Sequence, residues 1–490
     1  MGANRVGRDR RHPVGPGRLA HWLPTLLVLA LIGSAFAAHR FEWGPRHLGW
    51  YGDEVTSDPA AVAPPAGLEL PAWSPPPAVA TPAAAPEAVS AAAVEAVLGK
   101  GLRNKTLGKH VVAAVGDLGG DGAVWTHDDD QFLPASTTKL LTSVAALAAL
   151  GPDTRFTTRV VRGAGPRQLV LVGGGDPYLS SKPLTTAEQA STYPERSDVV
   201  TLARATARGL TGRKPVRVVY DDSLFSGPTN NPKWRADYVP DDIVTPITAL
   251  WVDRGASPTG FGRSDDPSFT AAATFASALA QAGVKVAGSP TRGVATAGAA
   301  TLASVESAPV SQIVERVLDV SDNEAAEVLA HHIGIAAGGA GSFEGGAAGV
   351  LNTLQSIGVD TGLDVVHDGS GLSRFNRLSP ATLLQVLQVA ARPDRPDLRT
   401  LITGLPVAGF TGSLTNRFAS AGVGGLGDIR AKTGTLSGVS SLAGVVAGRD
   451  GADMVFVLAV DKTGRADESD VEAALDGLAA DLAACRCGSG

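Results

Sequence analysis

Cysteine is nearly absent from this chain: of 490 residues only Cys485 and Cys487 are cysteines, one position apart near the C-terminus. Such a pair cannot supply a disulfide framework or a zinc quartet. A mutual bridge, a cross-link between chains and two reduced thiols all stay open. A basic excess is missing too, since 42 Lys and Arg face 48 Asp and Glu for a net charge of −6, and this argues against a nucleic-acid binder. No His-Glu-x-x-His motif occurs, and the adjacent His331 and His332 would point in different directions on a helix, which leaves a metal-dependent hydrolase unsupported. His367 and Asp368 invite a Ser-His-Asp triad with Ser136 or Ser370. No Gly-x-Ser-x-Gly elbow supports one. Internal repeats are also lacking.

What is there is a 44% hydrophobic composition, ample for two or three domains. Arg5, Arg8, Arg10, Arg11 and Arg18 make residues 1–21 a basic leader, followed by the uncharged segment from Trp22 to Ala38. Basic flanks stay cytoplasmic, so the chain beyond Ala38 is expected on the extracytoplasmic side of a membrane. At 17 residues the segment is at the short limit for a spanning helix. The long leader favours a retained signal anchor, and Ala35-Phe36-Ala37 offers cleavage as the alternative. Residues 39–86 are read as a linker, Pro- and Ala-rich from Asp58 and including Pro75-Pro76-Pro77, an extended tether.

The folded part is expected from residue 87. A helix is followed by strands at His110 to Leu118 and Gly122 to His127, turned by Gly119-Gly120-Asp121. That hairpin leads into a helix starting at Ser136, with Leu140, Leu141, Val144, Leu147 and Leu150 at helical spacing until Gly151. An antiparallel sheet carrying helices, class α+β, is the architecture predicted. Residues 154–290 have strands and helices of their own and read as an inserted α/β domain. The main domain then comprises residues 87–153 and 291–484, with a tail at 485–490. Its later part reads as four helices (Val310 to Val320, Ala325 to Ile335, Ala347 to Ile357, Pro380 to Ala390). Strands at Ile429 to Lys432, Val439 to Ala447 and Met454 to Val460 come next, then a helix from Glu468 to Ala484.

Three short motifs stand in order: Ser136-Thr137-Thr138-Lys139, Ser321-Asp322-Asn323 and Lys432-Thr433-Gly434. A serine hydroxyl is a poor nucleophile without a base and without donors for a developing oxyanion. Lys139 lies one helical turn beyond Ser136 on the same face, and burial with a neighbouring cation would lower its pKa into a useful range. Ser321 and Asn323 fall between two helical runs, where one can relay a proton and the other bind an amide. Lys432, on a late strand, supplies positive charge; Thr433 and Thr435 can bind a carboxylate, and Gly434 lets a substrate backbone approach. Each motif alone has a plain alternative, a helix cap or a strand-to-turn passage. Their coincidence favours one cleft.

In this set the chain resembles the low-molecular-mass class C penicillin-binding proteins, D-alanyl-D-alanine carboxypeptidases and endopeptidases. Gly173-Gly174-Gly175-Asp176-Pro177, Tyr220-Asp221-Asp222-Ser223 near Trp234, and Asp368-Gly369-Ser370-Gly371-Leu372-Ser373-Arg374 before Asn376-Arg377 support the likeness, which covers about Val111 to Val460. The resemblance implies a penicillin-binding/β-lactamase-like transpeptidase fold with helices on both sheet faces. It implies Ser136 as the acylated nucleophile, Lys139 as general base, and Ser321 and Lys432 as carriers of the proton towards the leaving D-alanine. Asn323 would hold the penultimate amide, Thr433 and Thr435 the terminal carboxylate, and the N–H groups of Ser136 and Thr435 the oxyanion. Substrates would be peptidoglycan stem peptides, with β-lactams as covalent inhibitors and no cofactor. The 185 positions between Ser136 and Ser321 match the family's habit of inserting domains there, although this insert is smaller than in the fullest members.

Two competitors share the motifs. A β-lactamase of the commonest class needs a Glu three residues ahead of a Leu-Asn pair, and Ala348 stands there before Leu351-Asn352. A membrane-tethered sensor would acylate with a β-lactam and not turn over.

Overall fold

The computed structural model describes residues 87–210, 214–419, 425–464 and 466–489. The leader, the segment 22–38 and the linker lie outside the described residues, among which no helix is long and apolar enough to cross a membrane.

Ten strands form among the described residues: β1 (Val111–Asp117), β2 (Trp125–His127), β3 (Thr157–Arg162), β4 (Gln168–Val172), β5 (Arg217–Asp221), β6 (Thr291–Arg292), β7 (Thr301–Glu306), β8 (Ile429–Leu436), β9 (Val439–Ala447) and β10 (Asp453–Val460). The main helices are α1 (Ala91–Leu98), α2 (Thr138–Leu150), α3 (Val199–Arg208), α4 (Pro267–Gln281), α5 (Val310–Val320), α6 (Asn323–Ala336), α7 (Phe343–Ser356), α8 (Pro380–Ala391) and α9 (Glu468–Ala484).

The first sheet runs β2-β1-β10-β9-β8, antiparallel throughout. Its central strand β10 reads Asp-Met-Val-Phe-Val-Leu-Ala-Val because both faces are covered. Val455, Val457 and Ala459 face the core shared with α2, α5 and α6, while Met454, Phe456 and Leu458 face a second core with α1 and α9. Side chains alternate across a strand, so two-sided burial replaces the usual apolar-polar alternation by a continuous apolar run. The α+β architecture matches the sequence expectation.

The insert forms a second sheet, β6-β5-β4-β3-β7, with parallel pairing at β4-β5 and β5-β6 and antiparallel pairing of β3 with β4 and β7. Helices α3 and α4 pack on it through Leu202, Phe275 and Leu279. Because β6 and β7 belong to this sheet, the insert runs to Glu306 and not to residue 290 as the sequence pattern suggested. A further apolar cluster joins Tyr238, Val244, Ile247 and Trp251 of the insert to Val328, Phe343 and Leu372 of the main domain.

Cys485 and Cys487 are bonded to each other. The tail around them pairs with the start of the folded chain: Ser90 N–H donates to the Cys487 carbonyl and Ser489 N–H to the Ala88 carbonyl, each at 2.7 Å.

Candidate active site

Ser136 sits in a single 3-10 turn, Ala135–Thr137, that runs into α2. Regular α-helix therefore begins at Thr138, two residues later than the sequence pattern suggested, because Ala135 turns the chain through a positive φ of 49°. An L-residue there is strained by about 1–2 kcal/mol, held by its surroundings. Two glycines do the holding. A Cβ on Gly371, which itself has φ +86°, would stand 1.9 Å from the Ala135 carbonyl oxygen, and one on Gly434 would stand 2.6 Å from the Pro134 oxygen and 3.1 Å from Ser136 N. One close approach that Gly434 permits is thus to the turn that carries Ser136. Gly371→Ala is expected to cost about 3 kcal/mol, through backbone strain and a clash with fixed backbone; urea unfolding would measure it.

Lys139 is fully buried one turn further on. Its Nζ lies 2.9 Å from Ser136 Oγ, 2.8 Å from Asn323 Oδ1 and 2.6 Å from the Ser370 carbonyl oxygen. Burial pushes its pKa down to about 8, against the opposing pull of Asp368, Glu327, Asp322 and Glu324. The three neighbours are not equivalent. Asn323 Oδ1 and the Ser370 carbonyl only accept, so a neutral amine gives its two hydrogens to them and turns its lone pair to the Ser136 hydroxyl.

Asn323 opens α6 just after the N-cap Asp322, whose side chain accepts from Ala325 N. Its Nδ2 donates to the Ile243 carbonyl of the insert at 3.1 Å. Arg254 NH2 donates to Asp322 Oδ1 at 3.3 Å and to Glu324 Oε2 at 2.6 Å, and Arg263 meets Glu324 Oε1 at 2.8 Å. Arg254 therefore braces the second motif from outside, and Arg263 holds the Glu324 that follows it. Ser321 ends α5 in the left-handed region, φ 59° and ψ 43°. Among the described residues its hydroxyl is hydrogen-bonded to neither lysine.

Strand β8 carries the third motif and lies at the edge of its sheet. Reading Thr-Gly-Thr as a turn would end the strand at Lys432; it continues to Leu436. On its outer side the Ala431 N–H donates to the Pro406 carbonyl at 3.0 Å. Successive residues of an antiparallel strand alternate in direction, so the N–H groups of Thr433 and Thr435 face outward as well. Lys432 is fully buried, with Nζ donating to the Thr433 carbonyl at 2.9 Å. Burial, and then the charge of Lys139, hold its pKa well below the usual lysine range. Thr433 Oγ1 donates to Ser413 Oγ at 3.1 Å, and Thr435 Oγ1 to Glu472 Oε1 at 3.0 Å. The Thr435 hydroxyl is thus already committed to a carboxylate, one paired with Arg417.

Four contributors escaped the sequence reading of the site: Ser413, Ile243, Arg254 and Glu327. Glu327 is four residues after Asn323 on the same face of α6, buried, and accepts from the N–H groups of Gly369 and Ser370. Its only sequence signal is a carboxylate inside an apolar helical stretch. The loop from Asp368 to Arg374 supplies the Ser370 carbonyl.

The competing constellations dissolve. His331 Nδ1 donates to the Glu327 carbonyl and the ring packs on Phe225 and Phe343; His332 stacks on Phe156 and its Nε2 donates to the Gly175 carbonyl. Burial pushes both down to about 4, which makes them neutral core residues. Asp368 has its two oxygens filled by Gly371 N, Asn376 Nδ2, Ser373 N and Trp234 Nε1, and none by His367.

Comparison with known proteins gives four concordant findings. The family model described as "D-Ala-D-Ala carboxypeptidase 3 (S13) family" matches residues 94–262 and 258–482. The carboxypeptidase DacB of Mycolicibacterium smegmatis is 35% identical over 484 residues, 96% of this chain and 98% of that protein. A D-alanyl-D-alanine carboxypeptidase of Actinomadura sp. (strain R39) is 30% identical over 391 residues, covering 66% of this chain and 72% of that protein. In fold, penicillin binding protein 4 (dacB) from Haemophilus influenzae superposes with a TM-score of 0.63 at 21% identity, over 79% of this chain and 98% of that one.

Proposed function

The chain belongs to the D-Ala-D-Ala carboxypeptidase 3 (S13) family and is a serine D,D-peptidase, and on that premise we propose that Ser136 is its acylated nucleophile and Lys139 its general base. The observation that carries this reading is the position of Lys139 Nζ, 2.9 Å from Ser136 Oγ with its other two partners able only to accept. Neutral Lys139 takes the Ser136 proton as Oγ attacks the carbonyl carbon between two D-alanines. The N–H groups of Ser136 and Thr435 receive the oxyanion, a role supported by the outward direction of Thr435 and the adjacency of Gly434 to Ser136 N. The N–C bond breaks as the proton passes to the departing D-alanine amine, with Ser321 and Lys432 as its carriers. Water then releases the acyl group, and D,D cross-links are cut by the same two steps.

Asn323 and Thr433 are the substrate-binding side chains: both are polar and only partly buried, and both already make the hydrogen bonds that a substrate amide or carboxylate would take over. Thr435 contributes its hydroxyl once Glu472 yields it. β-Lactams are covalent inhibitors in this reading, because the same attack on a lactam carbonyl leaves an acyl-enzyme whose leaving group stays tethered. Peptidoglycan stem peptides on the extracytoplasmic side are the substrates, which the Arg-rich leader and the adjoining apolar segment support. Release of D-alanine from a D-alanyl-D-alanine peptide by purified protein tests the function; capture of penicillin without release would establish the sensor instead.

The base must be neutral to act. With a pKa of about 8, Lys139 is mostly protonated at low pH and free at high pH, so the second-order rate of penicillin acylation is expected to rise with pH and level off above about 8. A profile falling through that range, measured by stopped-flow, would exclude an amine base of this pKa.

A further inference from the structure

Of the groups around Lys139, the Ser370 carbonyl is distinguished by what holds the other end of its peptide. The oxygen of the Ser370–Gly371 peptide accepts from Lys139 Nζ at 2.6 Å, and the N–H of the same peptide donates to Asp368 Oδ1 at 3.0 Å. A carboxylate at the N–H end of an amide polarises it towards its oxygen, because hydrogen bonds in a chain strengthen one another and more so when one end is charged. We propose that Asp368 is a positioning residue for Lys139, acting through the Ser370–Gly371 peptide to hold the amine against Ser136 and to set its affinity for a proton. The inference rests on the reading of Lys139 as base.

Asp368 is buried, and four donors reach its carboxylate: Gly371 N and Asn376 Nδ2 at Oδ1, Ser373 N and Trp234 Nε1 at Oδ2. None of the four is a cation. A buried negative charge left without a hydrogen-bonded counterion acts on the nearest buried cation, and it is the largest of the carboxylate influences on Lys139. Other charges face Lys139 from each packed element: Glu324 and Glu327 from α6, Asp322 from the turn before it, and Lys432 from β8. Glu327 is the informative contrast. It accepts from Gly369 N and Ser370 N, and so touches peptides other than the one that holds Lys139; the Gly369 carbonyl accepts from Thr142 Oγ1 instead. Burial also pushes Glu327 up to about 8, so it carries only part of its charge at neutral pH.

Asp368→Asn removes the charge and keeps the size. The acidic limb of the acylation profile is expected to move to lower pH by about half a unit, roughly threefold in rate at fixed pH on that limb, while the plateau falls as the amine loses its hold. Glu327→Gln should move the limb less. Because Asn presents an NH2 where four donors converge, the variant can fail to fold, and Trp234→Phe serves as the second probe. It withdraws one donor from Oδ2, keeps a ring against Phe343, leaves Asp368 less satisfied, and should move the limb upward. Limbs unmoved in both variants, or an unmoved or lowered limb in Trp234→Phe where Asp368→Asn does not fold, would reduce Asp368 to a loop anchor. Survival of acylation in Ser136→Ala would instead overturn the reading of the site itself.

Discussion

Ser136→Ala is expected to leave the protein folded and to abolish both the penicillin adduct in intact-mass measurement and the release of D-alanine, with turnover reduced by a factor on the order of 10⁴ or more. The loss is confined to chemistry because of where Ser136 sits. Its turn is fixed by backbone contacts, Ala135 against Gly371 and Pro134 against Gly434, and Ser441 Oγ donates to the Pro134 carbonyl at 2.8 Å. None of these needs the Ser136 hydroxyl. An adduct surviving on the variant would place the nucleophile elsewhere.

Lys139→Gln should lower acylation by about 10²–10⁴-fold, the usual worth of a positioned base. Glutamine keeps an NH2 group that can serve Asn323 Oδ1 and the Ser370 carbonyl, so the two acceptors are not both orphaned as they would be by alanine. It has no usable basicity. The pH dependence through about 8 should vanish along with the rate, whereas a residue that served only to pack the cleft would lower the rate and leave the profile in place. The same change removes the cation that depresses Lys432, so the Lys432 pKa should rise; chemical-shift titration of labelled lysine would report it.

Much of this molecule is written locally in its chain. Helices α5 and α9 and strand β9 begin and end where the pattern of apolar residues and caps puts them. The strands that escape are those with little to bury: β6 is two exposed residues, and β7 alternates only between exposed and half-buried positions, so neither has the apolar signal that marks β10. The end of β8 escapes for another reason, since Gly434 reads as a turn until the packing of Pro134 and Ser136 against it is seen. The site divides in the same way. Ser136, Lys139, Asn323 and Lys432 are legible because their chemistry depends on residue type. The Ser370 and Ile243 carbonyls are not, because any residue carries a carbonyl and only the fold determines where it points. Arg254 braces Asp322 across 68 positions of sequence, and nothing local in either motif announces it.

The pairing of residues 88–90 with the C-terminal tail has a mechanical meaning. Val89 is bridged antiparallel to Gly488, with Val89 N–H also donating to Asp117 Oδ1 at 2.7 Å and Gly488 N–H to Asp450 Oδ2 at 2.8 Å. Tension applied at Glu87 would meet this short clasp before it could reach α1 or β1. Several hydrogen bonds would share the load at the rim of the second core, on the sheet face opposite α2. A pull transmitted through Glu87 would thus be absorbed at the rim while the geometry between Ser136, Lys139 and β8 keeps its shape.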